Sequence, residues 1–404
     1  MKAPRRGLAA VPRSVWALGL VSMCMDLSSE LIHSLLPLYM AVGLGATTLV
    51  IGIVEGVAES LALIVKVFSG VLSDWFGRRK PLVVLGYGLA AVSKLAFPLA
   101  PTLGWIVAAR FADRVGKGIR GAPRDALIAD IVPPEIRGTA FGLRQALDTV
   151  GGVGGPLLAL GAMAYFAGNF QSAFWVAVIP AVLCVVVLVL GVEEPGRAAR
   201  PASAARKPVF VRADVRRLGG AYVVVVAVAA VLTLARFSEA FLVLRAQSVG
   251  VPVASAPWVM VVMSVVYTIV AYPAGAAADR GHGPRLLWSG FIALIVADLV
   301  RARAADAVHV YGGAALWGLH MGLTQGLLAA LVAGAAPADL RGTAFGVYNL
   351  VCGVALLVAS ALAGWLWDTF GPAETFYAGA VLTAAALLLL GFRGGDVGKL
   401  AGGA

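Results

Sequence analysis

The sequence predicts an all-α integral membrane protein, with twelve transmembrane helices forming two parallel six-helix bundles around a central cavity. Three observations carry this. The 404-residue chain is 60% hydrophobic and only 13% charged, with a mean hydropathy of +0.90, whereas a soluble domain carries about 25% charged residues. Its apolar runs are continuous and long enough to cross a bilayer core, which takes about 20 helical residues. Short motifs also recur at an offset near half the chain. The composition excludes a disordered chain, which is polar and charge-rich, and the 49 glycines lack the three-residue period of collagen.

The first apolar run follows Lys2, Arg5, Arg6 and Arg13 and superficially resembles a signal peptide. No small-residue cleavage site follows it, and it continues through Asp26 and Glu30 to Tyr39, so it reads as a retained first span. Apolar stretches between turn signals place the twelve spans near 14–41, 47–73, 81–100, 103–130, 139–165, 172–191, 219–245, 255–278, 285–302, 308–333, 342–367 and 374–392. The alternating ten-residue segments of a β-barrel are absent.

The loops 42–46, 98–104, 166–171 and 368–373 contain no Lys or Arg, while the opposite set carries Arg78, Arg79, Lys80, Arg137, Arg280, Arg285, Arg341, Arg393 and Lys399. The segment 192–218 is the most basic of all. Positive residues stay on the cytoplasmic side, so both termini and the middle segment are expected inside the cell, in an inner-membrane protein. The formal net charge of +11 is then largely a topology signal, and nucleic acid is not an expected partner. Cys24, Cys184 and Cys352 lie far apart in apolar runs without a C-x-x-C pattern, so no metal site or redox pair is expected.

The hexapeptide Arg-Gly-Thr-Ala-Phe-Gly occurs at 137–142 and again at 341–346, an offset of 204. Gly70-Val-Leu-Ser-Asp74 resembles Gly275-Ala-Ala-Ala-Asp279 at an offset of 205, and Ser29-Glu30 matches Ser238-Glu239 at 209. Each pair falls at the same point of a six-helix unit. The expected organisation is therefore a bundle over 1–191, a basic cytoplasmic linker over 192–218 and a second bundle over 219–404. Parallel halves of this kind are one of the transporter architectures.

Between spans two and three, Gly70 suits close helix packing and Gly77 a tight turn. Asp74, at the end of span two, is placed to accept a hydrogen bond from Arg78 or from free N–H groups at the start of span eleven. In span five, Gly151 and Gly155 share a face that lets helix backbones approach, and Pro156 removes a backbone bond. These three are candidates for a hinge or a sealed helix contact.

Ionisable residues inside a span are costly and are expected to face a cavity or a partner. Asp26, Glu30 and His33 share one face of span one. Glu55 and Glu59 lie in span two, and Arg110, Asp113, Arg114 and Lys117 line span four. Arg144 and Asp148 follow in span five, and Arg236 and Glu239 in span seven. Burial favours the neutral form of a carboxylate and a neighbouring arginine favours the charged form, so movement of one past the other binds and releases a proton. The expected proton-coupling residues are Asp26, Glu30, Glu55 and Glu59, with Arg114 as modulator. His33, Arg110, Asp113, Lys117, Asp148, Arg236 and Glu239 are assigned to the substrate cavity. At the 204 offset, Asp113 and Arg114 become Trp317 and Gly318, and Arg144 and Asp148 become Tyr348 and Cys352. The second half thus reads as a less charged wall, with Tyr267, Trp317, His320, Gln325, Tyr348 and Asn349 available to stack against an organic substrate and hydrogen-bond it.

Gly70-Val-Leu-Ser-Asp74-Trp-Phe-Gly77-Arg78-Arg79-Lys80 matches the loop signature G-x-L-x-D-x-x-G-R-[KR]-[KR], with a degenerate second copy around Gly275 and Asp279. Gly151-Gly-Val-Gly-Gly155-Pro156 fits an antiporter motif, and Arg114-Val-Gly-Lys117-Gly118 fits R-x-x-Q-G with Lys117 in place of Gln. On these motifs the chain resembles the major facilitator superfamily over nearly its whole length. Within that family it resembles a bacterial, drug or metabolite:proton antiporter-like branch. The resemblance implies a cytoplasmic gate of Gly70, Asp74, Gly77, Arg78, Arg79 and Asp279, in which Asp74 latches the outward-open state. It also implies alternating access by a monomer without cofactors, driven by the proton gradient. The expected function is export of a small organic compound in exchange for protons. A proton symporter importing a polar or anionic solute is the alternative, and a non-transporting membrane sensor a more distant one. No enzyme is expected, since H-E-x-x-H, G-x-S-x-G and phosphate-loop motifs are missing.

Overall fold

The structure, a computed structural model, describes residues 11–76, 78–133, 136–194, 217–337 and 340–401. Gly77, most of the 192–218 segment and the side chain of Asp74 lie outside the described residues. Every expected span has its helix. They are α1 (Arg13–Leu38), α2 (Thr48–Phe76), α3 (Lys80–Ala96), α4 (Leu103–Ile131), α5 (Arg137–Tyr165) and α6 (Phe170–Gly191), then α7 (Gly220–Ala235) and α8 (Ala240–Ser248). After these come α9 (Trp258–Ala277), α10 (Gly283–Ala302), α11 (Ala307–Ala335), α12 (Arg341–Phe370) and α13 (Pro372–Ala401). No strand occurs among the described residues. Span seven differs from a single continuous helix: it breaks at Arg236, which leaves helical geometry (φ −99°, ψ 71°), and resumes at Ala240.

Local chemistry sets the helix ends. Thr102 and Asn169 cap α4 and α6 by accepting from the amides of Trp105 and Ser172. Asp306 caps α11, accepting from the His309 amide at 3.0 Å and lying 2.7 Å from His309 Nδ1. The His309 amide, and then the ring, hold the exposed Asp306 carboxyl below its usual range. The cap is therefore present at neutral pH and lost only as pH falls through that lowered value. Protection of the first-turn amides of α11 against hydrogen exchange, taken relative to the intrinsic rate at each pH, is expected to fall in acid below about pH 4, and an Asp306→Ala variant to show the lowered protection already at pH 7. Gly281 turns the chain between α9 and α10 with φ +85°, a conformation that suits glycine.

The chain divides into two compact units, Met1–Leu35 with Leu61–Pro208, and Leu36–Ser60 with Val209–Ala404. In the first, α3 packs along α4 and α6, and α5 along α4 and α6. Glycines permit the approach of α3 to α4: a Cβ on Gly86 would lie 2.7 Å from the Arg120 amide nitrogen, and one on Gly116 2.7 Å from the Gly86 carbonyl. Cys24 and Cys184 sit in the apolar core beside Val21, Tyr87 and Leu188, as small apolar residues.

In the second unit α11 packs against both α9 and α10, and α13 against α7 and α10. The opening turns of α2 belong here and run along α12. Asp368 of α12 accepts from the amides of Thr48 (3.1 Å) and Leu49 (2.8 Å) and from the Thr48 hydroxyl. It thereby caps α2 from a neighbouring helix. Further along, Ser60 donates to the Gly353 carbonyl. A Cβ on Gly56 would lie 3.1 Å from Leu357 Cα, and one on Gly364 2.6 Å from Leu49 Cα. These are backbone contacts of the small-residue kind that hold membrane helices together.

Candidate functional site

Two charged clusters form in the first unit, both centred on α4. The inner one is sealed. Arg110, Asp113 and Arg114 are each 1% exposed and Lys94 of α3 is fully buried. Lys94 Nζ donates to Asp113 Oδ1 at 2.7 Å, with Arg114 Nε 3.5 Å and Arg110 4.0 Å from the other carboxylate oxygen. Arg110 also lies 3.2 Å from Nδ1 of His33, which α1 brings to it. Asp113, expected in the substrate cavity, thus faces a lysine of the adjacent helix. Lys94 was missed by the sequence reading, although a lone lysine in an apolar span is itself a signal.

The other cluster is half-exposed. Arg124 donates to Ser22 (2.9 Å) and Tyr87 (3.4 Å) and pairs with Asp125 at 3.0 Å. Arg144 pairs with Asp148 one turn on and lies 3.8 Å from Asp125. Asp26 stands within electrostatic reach of Arg120, Glu30, Lys117 and Arg124, and Asp148 of Asp26, Arg124, Arg144 and Asp125. Arg120 is buried with its guanidinium over the Tyr87 ring at 4.6 Å, while Lys117 is exposed. Asp26 and Asp148, drawn from two helices, are therefore brought together among four basic residues, with Glu30 beside Asp26. Ser22, Tyr87 and Asp125 complete the cluster. The two hydroxyl residues were illegible in the sequence because apolar helices use them freely for packing.

Helix packing fixes Asp26 and Glu30. A Cβ on Gly151 would lie 2.7 Å from the Met23 carbonyl and 2.8 Å from Asp26 Cβ, and one on Gly155 2.5 Å from Glu30 Cβ and 2.9 Å from the Leu31 nitrogen. The glycines of span five thus press directly on the acidic face of span one. Pro156 is buried in an α5 that runs unbroken from Arg137 to Tyr165.

Of the gate residues, Arg78 is exposed, and Gly70 lies with Ala122 of α4 3.3 Å from an added Cβ. Arg79 pairs with Asp130 at 2.6 Å and its amide donates to Glu194 at 2.5 Å. Lys80 donates to the carbonyls of Val189 (3.1 Å) and Val192 (2.7 Å). These two basic residues therefore tie α3 to the ends of α4 and α6.

In the second unit, Tyr267, Asp279 and Gln325 line a cavity of about 220 Å³ between α9 and α11, with Gly275 and Gly322 in its wall. Trp317 and His320 are buried at 1% and 0% exposure, and the His320 Nδ1 bonds the Gly290 carbonyl at 2.8 Å. Arg236, at the break of span seven, lies within electrostatic reach of Glu239, Tyr267 and Tyr348. Tyr348 and Asn349 are half-buried on α12. Glu55 is buried and Glu59 half-buried on the stretch of α2 that belongs to this unit.

The sequence profile of the Major Facilitator Superfamily matches residues 18–360. An uncharacterized MFS-type transporter of Methanocaldococcus jannaschii is 31% identical over 392 residues, 94% of each chain. The multidrug resistance protein MdtH of Citrobacter koseri is 32% identical over 117 residues, 28% of each chain. Among solved structures, a point mutant of the nucleoside transporter NupG superposes with a TM-score of 0.77 over 95% of this chain and 99% of that one, at 12% identity, a likeness of fold.

Proposed function

Because the chain belongs to the major facilitator superfamily, we propose that it is a secondary transporter that exchanges protons for a small organic compound by alternating access. One observation carries the proton part: Asp26 and Asp148 sit half-buried among Arg120, Arg124, Arg144 and Lys117, with half-buried Glu30 within reach of Asp26. Acids in such a setting change charge when a helix shift alters which cation they face. The likeness to MdtH over part of the chain supports export. The substrate meets the half-charged wall of Tyr267, Gln325, Arg236 and Tyr348. The bias of Lys and Arg toward one set of loops supports an inner-membrane protein with both termini in the cytoplasm.

The test is flux in proteoliposomes. Exchange predicts that protons and compound move in opposite directions. Movement in the same direction supports the symport of an anionic solute, which the basic residues of α4 would suit. Binding without movement under any imposed gradient would sink transport altogether.

The α2–α12 contact is read as the closure on the outer face. Asp368→Ala removes a cap worth about 1 kcal/mol. It is expected to raise the rate at which a membrane-impermeant maleimide labels a cysteine placed at Thr47. An unchanged rate would mean that the contact does not limit opening.

A further inference from the structure

The second half was expected to be the less charged one, yet α10 carries a fully buried acid and base, Asp298 and Arg301, each 0% exposed. Among the described residues, neither oxygen of Asp298 and none of the three guanidinium nitrogens of Arg301 has a hydrogen-bond partner. Arg301 instead lies over the rings of Trp317 (5.0 Å) on α11 and Phe376 (6.0 Å) on α13. Asp298 presses on Gly379 of α13, where an added Cβ would come within 2.7 Å of Oδ2, and the Phe237 ring edge closes the same spot.

The position 204 residues earlier shows what this place in the fold accommodates. Asp298 corresponds to Lys94, Arg301 to Phe97 and Trp317 to Asp113. There the acid and base close a direct 2.7 Å bond, with Lys94 5.9 Å from the Phe97 ring centroid. In the second unit Arg301 stays within electrostatic reach of Asp298, but its guanidinium lies on the aromatic faces and makes no hydrogen bond to the acid. A carboxylate with no donor and no cation in contact is costly among apolar helices, whereas the neutral acid suits such a place.

We propose that Asp298 is a second proton-binding site, loaded while Arg301 rests on Trp317 and Phe376 and emptied when Arg301 turns to pair with it. In the step, the Asp298 O–H bond breaks, the proton passes to water, and the carboxylate left behind takes the Arg301 guanidinium as its counter-ion. Asp298 is four residues from the end of α10, about 6 Å along the axis, so the route to water is short. The other charged groups around the site have separate roles. On the same helix only Arg301 faces it. Arg301 lies within electrostatic reach first of Asp298 and then of Glu239, between α7 and α8, which balances it when Asp298 is neutral. Arg236 lies beside Glu239. Arg245 of α8 is occupied with the carbonyls of Arg301, Ala302 and Ala304. On α11, His320 is turned to the Gly290 carbonyl, and on α13 Glu374 is exposed.

The use of this proton in a cycle rests on the transport reading, but its binding does not, and infrared absorption of the purified protein in nanodiscs detects it whether or not any solute moves. The wild type is expected to show a protonated-carboxyl band at pH 7 that Asp298→Asn lacks. Asp298→Asn, which mimics the neutral acid, is expected to melt no lower than the wild type at pH 7 and to lose part of the fall in stability that the wild type shows as pH rises above about 4, the ordinary carboxyl value of the unfolded chain. Arg301→Gln is expected to move disappearance of the band upward by about one pH unit or more. The proposal is overturned by a spectrum unchanged in Asp298→Asn, or by a band whose midpoint Arg301→Gln leaves in place or lowers. It is also overturned if Asp298→Asn fails to fold while Asp298→Glu folds, since that outcome shows a required carboxylate charge. Proteoliposome flux that fails while the band behaves as described would sink the transport reading and leave the site.

Discussion

Asp113→Asn is expected to destabilise the protein by about 3–5 kcal/mol, the loss typical of a buried ion pair deprived of one partner. Lys94 is fully buried and its ammonium is held by Asp113 at 2.7 Å. Removing the carboxylate charge strands that ammonium between α3 and α4. Lys94→Met is expected to cost less, because Asp113 keeps Arg114 at 3.5 Å and Arg110 at 4.0 Å. The double variant is expected to recover part of the Asp113→Asn loss. Thermal unfolding of the purified protein in detergent measures all three. An Asp113→Asn variant that melts with the wild type would mean that the pair is not closed in the membrane.

Gly155→Leu is expected to abolish transport and to cost about 1–3 kcal/mol or more through overpacking. Even a single Cβ there would meet Glu30 Cβ at 2.5 Å, the Leu31 nitrogen at 2.9 Å and the Leu27 carbonyl at 3.0 Å. Two of these three atoms are backbone, so the helices themselves have to separate. Separation displaces Asp26 and its neighbour Glu30 from α5 and shifts Asp26 relative to the cations of α4, so proton linkage fails before folding does. Gly152→Ala provides the control, because an added Cβ at Gly152 meets nothing within 4 Å. Equal loss in both variants would deny the contact its role.

The helices were legible because a bilayer imposes one length and one polarity on every span, and each expected stretch became helical, span seven as two helices. The break at Arg236 was hidden, since Arg236-Phe237-Ser238-Glu239 contains neither Gly nor Pro. It shows only where the Ser238 amide leaves the helix ladder to bond Ser360 at 3.1 Å. Among the charges, periodicity grouped Asp26, Glu30 and His33 on one face of α1; Asp26 and Glu30 do lie together, while His33 meets Arg110 of the sealed cluster. It could not say which helix each charge meets. Asp113 and Arg124 sit on the same helix eleven residues apart, yet one is sealed against Lys94 and the other reaches Ser22 and Tyr87. Asp298 lies four residues from the end of α10, where a charge can reach the interface, but the packing of α10 against α11 and α13 encloses it.

Proton exchange at the half-buried acids is decided in proteoliposomes that enclose a pH-sensitive dye, with a panel of organic compounds offered on one side. At least one compound is expected to drive a lumenal pH change in the wild type. In Asp26→Asn, Glu30→Gln or Asp148→Asn that change should vanish while counterflow of the same compound persists. Full proton-linked flux in all three variants, or a flux indifferent to the imposed pH gradient, would contradict it.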